Sequence, residues 1–300
     1  MARICIAGMG AVGGLLGFFS SRGSGEPVYA IVRRREHAEK LNVEGVSLEG
    51  LIRGGYSVKA GLEPPRDGCD YTIIATKAYD APKAIEVVAP HSKVIAVACN
   101  GFGPLEAAVR LAKPALGIIV DYGVTRSSDT KIEVRGLGSL TIGPARGSTG
   151  DAISHAETLA RILELGGASV RVVGDIEPWR WLKAAVNAVI NPITAITRKP
   201  NGVILDDKLE PLVEGLTGEV ALIASKSGIT MPLDPLSYVY EVASKTRNNK
   251  SSMLADVEAG RRTEIEEING YIVKTAESLG LEAPYNKTLY SLVKTLESRL

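Results

Sequence analysis

Lys183, Asn187 and Asn191 stand in a mostly apolar stretch, Pro178–Pro192 (PWRWLKAAVNAVINP). They recur every four residues. At about 100° per residue in a helix, each side chain drifts only roughly 40° from the last, so the three share one face. Burying an amide unpaired costs about 1–3 kcal/mol, and a charged lysine costs more. A lysine can give a proton to a developing alkoxide, and amides can hold a carbonyl or carboxylate. The stripe reads as one wall of an active site; a solvent-facing stripe on a half-exposed helix is the competing reading. Further along stand Asn249, Ser251, Ser252, Glu264 and Asn269. Ser251-Ser252-Met253-Leu254 has the pattern of a helix start, with either serine as the cap. Glu264 falls in the first turn of a helix expected over Thr263–Leu279. A carboxylate there either serves a site or simply favours the positive end of the helix dipole.

A second constellation lies at the amino terminus. Arg3–Ala7 is a short β-prone run. Gly8, Met9, Gly10, Ala11, Val12 and Gly13 follow at once, and Gly14–Ser21 is small, apolar and helix-like. Strand, GxGxxG and helix in that order form a dinucleotide-binding loop. Gly8 permits the tight turn, Gly10 lets backbone approach a pyrophosphate, and Gly13 lets the helix pack on the strand. The helix amino terminus then offers N–H groups and a positive dipole end. The next expected strand, Pro27–Val32, ends in Arg33-Arg34-Arg35, with no acid before Glu36. NAD-selective sites place an acid near this point, whereas guanidinium groups suit a 2′-phosphate. NADPH is therefore expected over NADH, with Arg33 as the contact; a solvated basic turn is the alternative. Lys77 follows the buried strand Tyr71–Ala75, and Asn100-Gly101 follows Val94–Cys99. Both sit at carboxyl ends of strands, where α/β sheets bind ligands.

The elements that carry these residues divide the chain in two. Up to Asp175, β and α patterns alternate, which implies a mainly parallel twisted sheet with helices on both faces. Two side hairpins are expected, Val46–Leu48 with Leu51–Val58, and Lys131–Arg135 with Ser139–Ile142. Helices are expected over Pro104–Ala112 and Asp151–Leu165, among others. Beyond Asp175 only helical patterns remain: Leu209–Ser227, Leu236–Ser244, Thr263–Leu279 and Lys287–Ser298. Pro192 predicts a kink or break just after Asn191. The fold class is thus α/β, a Rossmann-type dinucleotide-binding domain over residues 1–175 followed by an all-α domain over residues 176–300.

Composition narrows the partners. The 300 residues carry a net charge of +1 with no long basic or acidic run, which argues against nucleic acid or an anionic membrane. The longest apolar runs have the length of strands, and no signal peptide is visible. Cys5, Cys69 and Cys99 are widely spaced without a CxxC, which suits a reducing cytoplasm and predicts neither a disulfide framework nor a metal site. Histidine is confined to His37, His91 and His155. A dinucleotide domain before a helical domain suggests hydride transfer between them, and reduction of a carbonyl needs a proton donor. The helical half has no histidine to supply one, so Lys183 is the best remaining donor.

The residues GMGAVGG, ATKAYD around Lys77, Asn100-Gly101, KAAVNAVINPITA from Lys183 and NNKSSMLADVEAGRRTEIEEING from Asn248 resemble ketopantoate reductase (2-dehydropantoate 2-reductase), in order and over essentially the whole chain. The resemblance implies NADPH-dependent reduction of 2-dehydropantoate to (R)-pantoate on the route to pantothenate and coenzyme A, by a cytoplasmic homodimer. It implies that Lys183 donates the proton and that Glu264 binds the substrate hydroxyl and positions the lysine. It further implies that Asn100, Asn187, Asn191, Asn249 and Ser252 contact substrate or order its surroundings, that Asn100 also binds the cofactor, and that Lys77 lies near cofactor and substrate. The triple arginine leaves open which one meets the phosphate, and some members use NADH. Two alternatives stand beside this: a reductase of another small 2-keto acid, and a dinucleotide-binding sensor without catalysis. A sensor is expected to have lost Lys183 or Glu264, and both are present.

Overall fold

The computed structural model describes residues 2–111 and 114–298. The chain forms two compact units: Met1–Cys99 with Gly103–Ile176, and Asn100–Phe102 with Glu177–Leu300. A three-residue segment from the first half thus belongs to the second unit.

In the first unit, β1 (Ile4–Ala7) turns at Gly8 into α1 (Ala11–Ser24), followed by β2 (Val28–Ile31), α2 (Arg35–Glu44), β3 (Val46–Gly50), β4 (Gly54–Tyr56) and β5 (Val58–Gly61). Then come β6 (Cys69–Ile74), α3 (Ala81–Val88), β7 (Ser92–Val97), α4 (Gly103–Val109), β8 (Ala115–Val120), β9 (Gly123–Arg126), β10 (Lys131–Gly136), β11 (Leu140–Pro144), α5 (Ala152–Leu165) and β12 (Val170–Val172). Ala112, the expected end of the helix from Pro104, lies outside the described residues. An eight-stranded sheet has the order β12-β11-β8-β7-β6-β1-β2-β5, parallel except where β11 meets β8. Strands such as Ile4–Ala7 are buried along their whole length because helices cover both faces. One face packs on α1, α2 and α5 through Leu15, Leu41 and Leu159. The other packs on α3 and α4 through Ile85 and Leu105.

A smaller sheet, β4-β3-β10-β9, corrects both expected hairpins. β3 and β4 do pair antiparallel, but Val58 opens β5, which joins the main sheet beside β2. Lys131–Arg135 does not pair with Ser139–Ile142. β10 pairs with β3 and β9, whereas β11 pairs with β8 and β12. Alternation along a strand shows which side chains face a core but not which strand lies beside it.

The three cysteines also depart from expectation. Cys5 and Cys69 form a disulfide, with Cα atoms 5.9 Å apart, although 64 residues separate them. The Arg3 carbonyl accepts from both Asp70 N and Tyr71 N, at 3.0 and 3.3 Å. That irregularity breaks the alternation of β6, and Cys69 shares a buried cluster with Cys5. Spacing in the chain gave no sign of a contact that the β1–β6 neighbourhood creates. Cys99 is not cross-linked among the described residues, and its thiol donates to the Ile74 and Thr76 carbonyls at 3.5 and 3.2 Å.

The second unit is helical: α6 (Glu177–Thr197), α7 (Glu210–Lys226), α8 (Pro235–Lys245), α9 (Ser252–Glu258), a π-turn over Glu266–Gly270 leading into α10 (Tyr271–Ser278), and α11 (Pro284–Glu297). No helix among the described residues is long and apolar enough to cross a membrane. α6 is central and packs against α7, α8, α9 and α11. It does not break at Pro192 but runs on to Thr197. Proline removes the N–H that would bond the carbonyl of Ala188. Asn269, fully buried on the π-turn, donates Nδ2 to that carbonyl at 3.0 Å and to Asn286 Oδ1 at 3.0 Å. Asn286 Nδ2 donates in turn to Glu219 on α7 at 2.7 Å. A side chain remote in sequence thus replaces the missing donor. Replacing Asn269 with leucine orphans the Ala188 carbonyl and should cost about 1–3 kcal/mol in urea unfolding. Adding Pro192→Ala restores the N–H and should recover part of that loss; no recovery would mean that Asn269 acts elsewhere.

Candidate active site

The glycine loop is built at the carboxyl ends of β1 and β6, the point where the strand order reverses. Gly8 has φ 96°, and a Cβ there would lie 2.8 Å from the backbone nitrogen of Thr76. The loop therefore runs beside Thr76-Lys77. A Cβ on Gly13 would lie 2.0 Å from the Gly8 carbonyl, so only glycine lets α1 start so close to the turn. Gly10 is the N-cap of α1; it offers no side-chain cap, and the space where its Cβ would stand is open. No acidic residue occupies the first turn. Bare N–H groups, a positive helix end and open space above Gly10 fit a pyrophosphate. Met9 is buried, while Ala11 and Val12 are half-buried in the first turn.

Arg33 follows β2 and pairs with Asp80 at 2.9 Å, its side chain 82% exposed. Asp80 ends the short 3-10 turn Ala78–Asp80 that Lys77 precedes, so Arg33 and the Lys77 turn are joined. Arg34 turns away and donates to Asp129 Oδ1 at 2.9 Å, where Lys40 and Arg126 also gather. Burial raises the Asp129 carboxyl, but the Arg34 hydrogen bond and nearby cations outweigh it and hold the group below the usual carboxylate range. Arg35 opens α2, exposed. Arg34 thus joins the cluster of charges at Asp129, while Arg33 pairs with Asp80.

The second constellation lies in the helical unit. Lys183 and Asn187 are half-buried on α6, and Asn191 is 5% exposed. Among the described residues neither amide side chain of α6 has a hydrogen-bond partner within the protein. Thr194, on the next turn, bonds Ser251 Oγ at 2.6 Å. Ser251 is the cap of α9, accepting from Leu254 N at 3.0 Å. Ser252 is the first residue of α9 and exposed. The Thr194–Ser251 bond thus ties the start of α9 to α6 beside Asn191. Asn249 is half-buried in the preceding loop, its carbonyl accepting from Asn201 N at 2.9 Å.

Glu264 is 5% exposed and lies just before the π-turn, its carbonyl accepting from Glu267 N and Ile268 N at 3.2 and 3.1 Å as the turn begins. The segment is pinned through Thr263, whose N–H and hydroxyl both donate to Glu297 Oε1, at 2.7 and 2.6 Å. Glu264 Oε2 accepts from Asn100 Nδ2 at 3.0 Å. Two candidates 164 positions apart in the chain therefore meet directly. Sequence reasoning passed over Thr194 and Arg180. Both are polar residues three positions from the stripe, on an otherwise apolar helix.

Residues 4–147 match the family model described as ketopantoate reductase PanE/ApbA, and residues 175–297 match that of its C-terminal part. A 2-dehydropantoate 2-reductase from Pyrobaculum aerophilum is 40% identical over 98% of this chain and 97% of its own. The solved PanE/ApbA-family ketopantoate reductase from Ralstonia eutropha JMP134 is 25% identical with a TM-score of 0.89, covering 99% of both chains. A D-mandelate dehydrogenase solved with NADH and anilino(oxo)acetate is 22% identical with a TM-score of 0.88, covering 99% of both chains. At that identity the likeness is one of fold alone.

Proposed function

The chain belongs to the ketopantoate reductase family of NAD(P)H-dependent reductases, and on that premise we propose that it reduces 2-dehydropantoate to (R)-pantoate with NADPH, on the route to pantothenate and coenzyme A. The observation that carries this reading is the buried Glu264 carboxylate bonded to the Asn100 amide, in the same unit as the Lys183–Asn187–Asn191 stripe. Residues 1–175 take the role of NADP-binding domain, with Gly8–Gly13 on the pyrophosphate, Arg33 on the 2′-phosphate and Lys77 beside the cofactor. Residues 176–300 take the role of substrate and dimerisation domain of a cytoplasmic homodimer. Burial of Cys5 and Cys69 shields their disulfide from cytoplasmic thiols.

The nicotinamide, when bound, supplies a hydride to the ketone carbon. Every other task falls to this chain. The Lys183 ammonium donates a hydrogen bond to the ketone oxygen and then its proton as negative charge develops there. Asn187 and Asn191, their amides unspent within the protein, hold the carbonyl and carboxylate. Glu264 accepts from the substrate hydroxyl, with Asn100 fixing the carboxylate. Asn249 and Ser252 complete the contacts from the loop before α9 and its first turn.

Steady-state assays with 2-dehydropantoate and each nicotinamide cofactor test the reading. Turnover is expected, with kcat/KM for NADPH well above that for NADH. Arg33→Ala should lower kcat/KM for NADPH by about 10- to 100-fold, the worth of a charge-assisted phosphate contact, and leave NADH unchanged. Equal or better kcat/KM with NADH in the parent enzyme would reject the cofactor assignment. Faster turnover of another 2-keto acid would reject the substrate.

A further inference from the structure

Arg180 lies one turn before Lys183 on α6, and its donors are spent on backbone instead of solvent. Its side chain is 9% exposed. One terminal nitrogen donates to the carbonyls of Gly101 and Phe102, at 3.3 and 2.8 Å. The other pairs with Glu177, which balances the buried charge. The guanidinium carbon sits 4.8 Å from the centre of the Phe102 ring. That ring stacks on Tyr271 at 4.4 Å and lies 4.8 Å from Trp181. Gly101 adopts φ 75°, and a Cβ there would stand 2.5 Å from the Glu267 carbonyl. All of these contacts except the Glu177 pair fix Asn100–Phe102, the segment that belongs to the helical unit while Cys99 and Gly103 on either side do not. The first residue of the segment is Asn100, bonded to Glu264 at 3.0 Å.

We propose that Arg180 is a positioning residue for the reduction: it holds the backbone of Gly101 and Phe102 so that the Asn100 amide meets and orients the Glu264 carboxylate. Arginine suits the task because one nitrogen of its planar guanidinium reaches both carbonyls, the other pairs with Glu177, and its face stacks on an aromatic ring; a lysine ammonium cannot do all three. A small displacement of a group that orients substrate can cost about 10²-fold in rate. The inference rests on the proposed function for its assay substrate, but not for its structural readout.

The test is a double-mutant cycle with Arg180→Met and Asn100→Ala, with Arg180→Lys as a milder variant that keeps the charge beside Glu177. Arg180→Met should lower kcat/KM for 2-dehydropantoate by about 10- to 100-fold while NADPH affinity, read by fluorescence titration, stays within twofold. In the Asn100→Ala background the same change should cost no more than about threefold, because the residue it acts through is gone. Arg180→Lys should fold and still lose most of the rate, and it carries the cycle if the methionine variant does not fold. A crystal structure of the variant should show Asn100 Nδ2 withdrawn from Glu264. The proposal falls if the arginine change costs as much without Asn100 as with it, or if the 3.0 Å contact survives in the variant. An inactive parent enzyme would instead overturn the proposed function, and the crystallographic readout would still decide the role of Arg180.

Discussion

Replacing Lys183 with alanine is expected to lower kcat by about 10²–10⁴-fold, the usual contribution of a positioned general acid. The size of the effect follows from the lack of a substitute. Histidine is absent from the helical unit. His37 is buried on α2 with Nε2 against the Asp129 carbonyl at 2.9 Å, and burial holds it below its ordinary pKa. His155 lies on α5 against the Tyr71 hydroxyl at 3.3 Å. Glu264 is already engaged by Asn100. Cofactor affinity should not change, since the glycine loop and Arg33 belong to the other unit. Single-turnover measurements at saturating substrate separate this loss from weaker binding. A kcat within a few-fold of the parent enzyme would mean that Lys183 is not the donor.

Removing the Cys5–Cys69 disulfide should change the stability of the first unit as much as truncating a large buried side chain. A cross-link closing a loop of 64 residues limits the unfolded chain by about 4 kcal/mol in the chain-entropy account. Native contacts should change little in Cys5→Ala/Cys69→Ala, because both positions already lie in an apolar cluster. The double variant should unfold at markedly lower denaturant than the parent. The parent should move to the same midpoint when a phosphine reductant is present during unfolding. A thiol titration of the unfolded, unreduced parent should find Cys99 alone. Three reactive thiols, or an unchanged midpoint, would show that the cross-link does not exist in solution.

Much of the site was legible because helical and glycine-loop chemistry is local. The four-residue spacing of Lys183, Asn187 and Asn191 needs only the pitch of a helix to share a face. The loop Gly8–Gly13 needs only a strand before it and a helix after. Ser251 and Ser252 could not be separated as caps by type, since both are serine; the bond that Ser251 Oγ accepts from Leu254 N decides it. The two expected hairpins misled because an alternating strand can pair with several neighbours, and only the packing of the small sheet selects among them. Of the kink or break expected after Asn191, the break does not occur, since α6 runs on to Thr197. The break is overruled by Asn269, which the chain brings in from 81 residues away.

The sequence by itself determined the class of the fold, the loop that can cradle a dinucleotide and the identity of the polar stripe, because each rests on short-range periodicity or on one residue type. Only the tertiary structure decided that Asn100 meets Glu264, that Cys5 meets Cys69, that Arg34 is drawn to Asp129 and leaves Arg33 exposed, and that Arg180 holds Gly101 and Phe102. Those contacts join residues whose separation in the chain carries no information about distance. They exist because the fold, not the local pattern, brings each charged, polar or thiol group beside its partners.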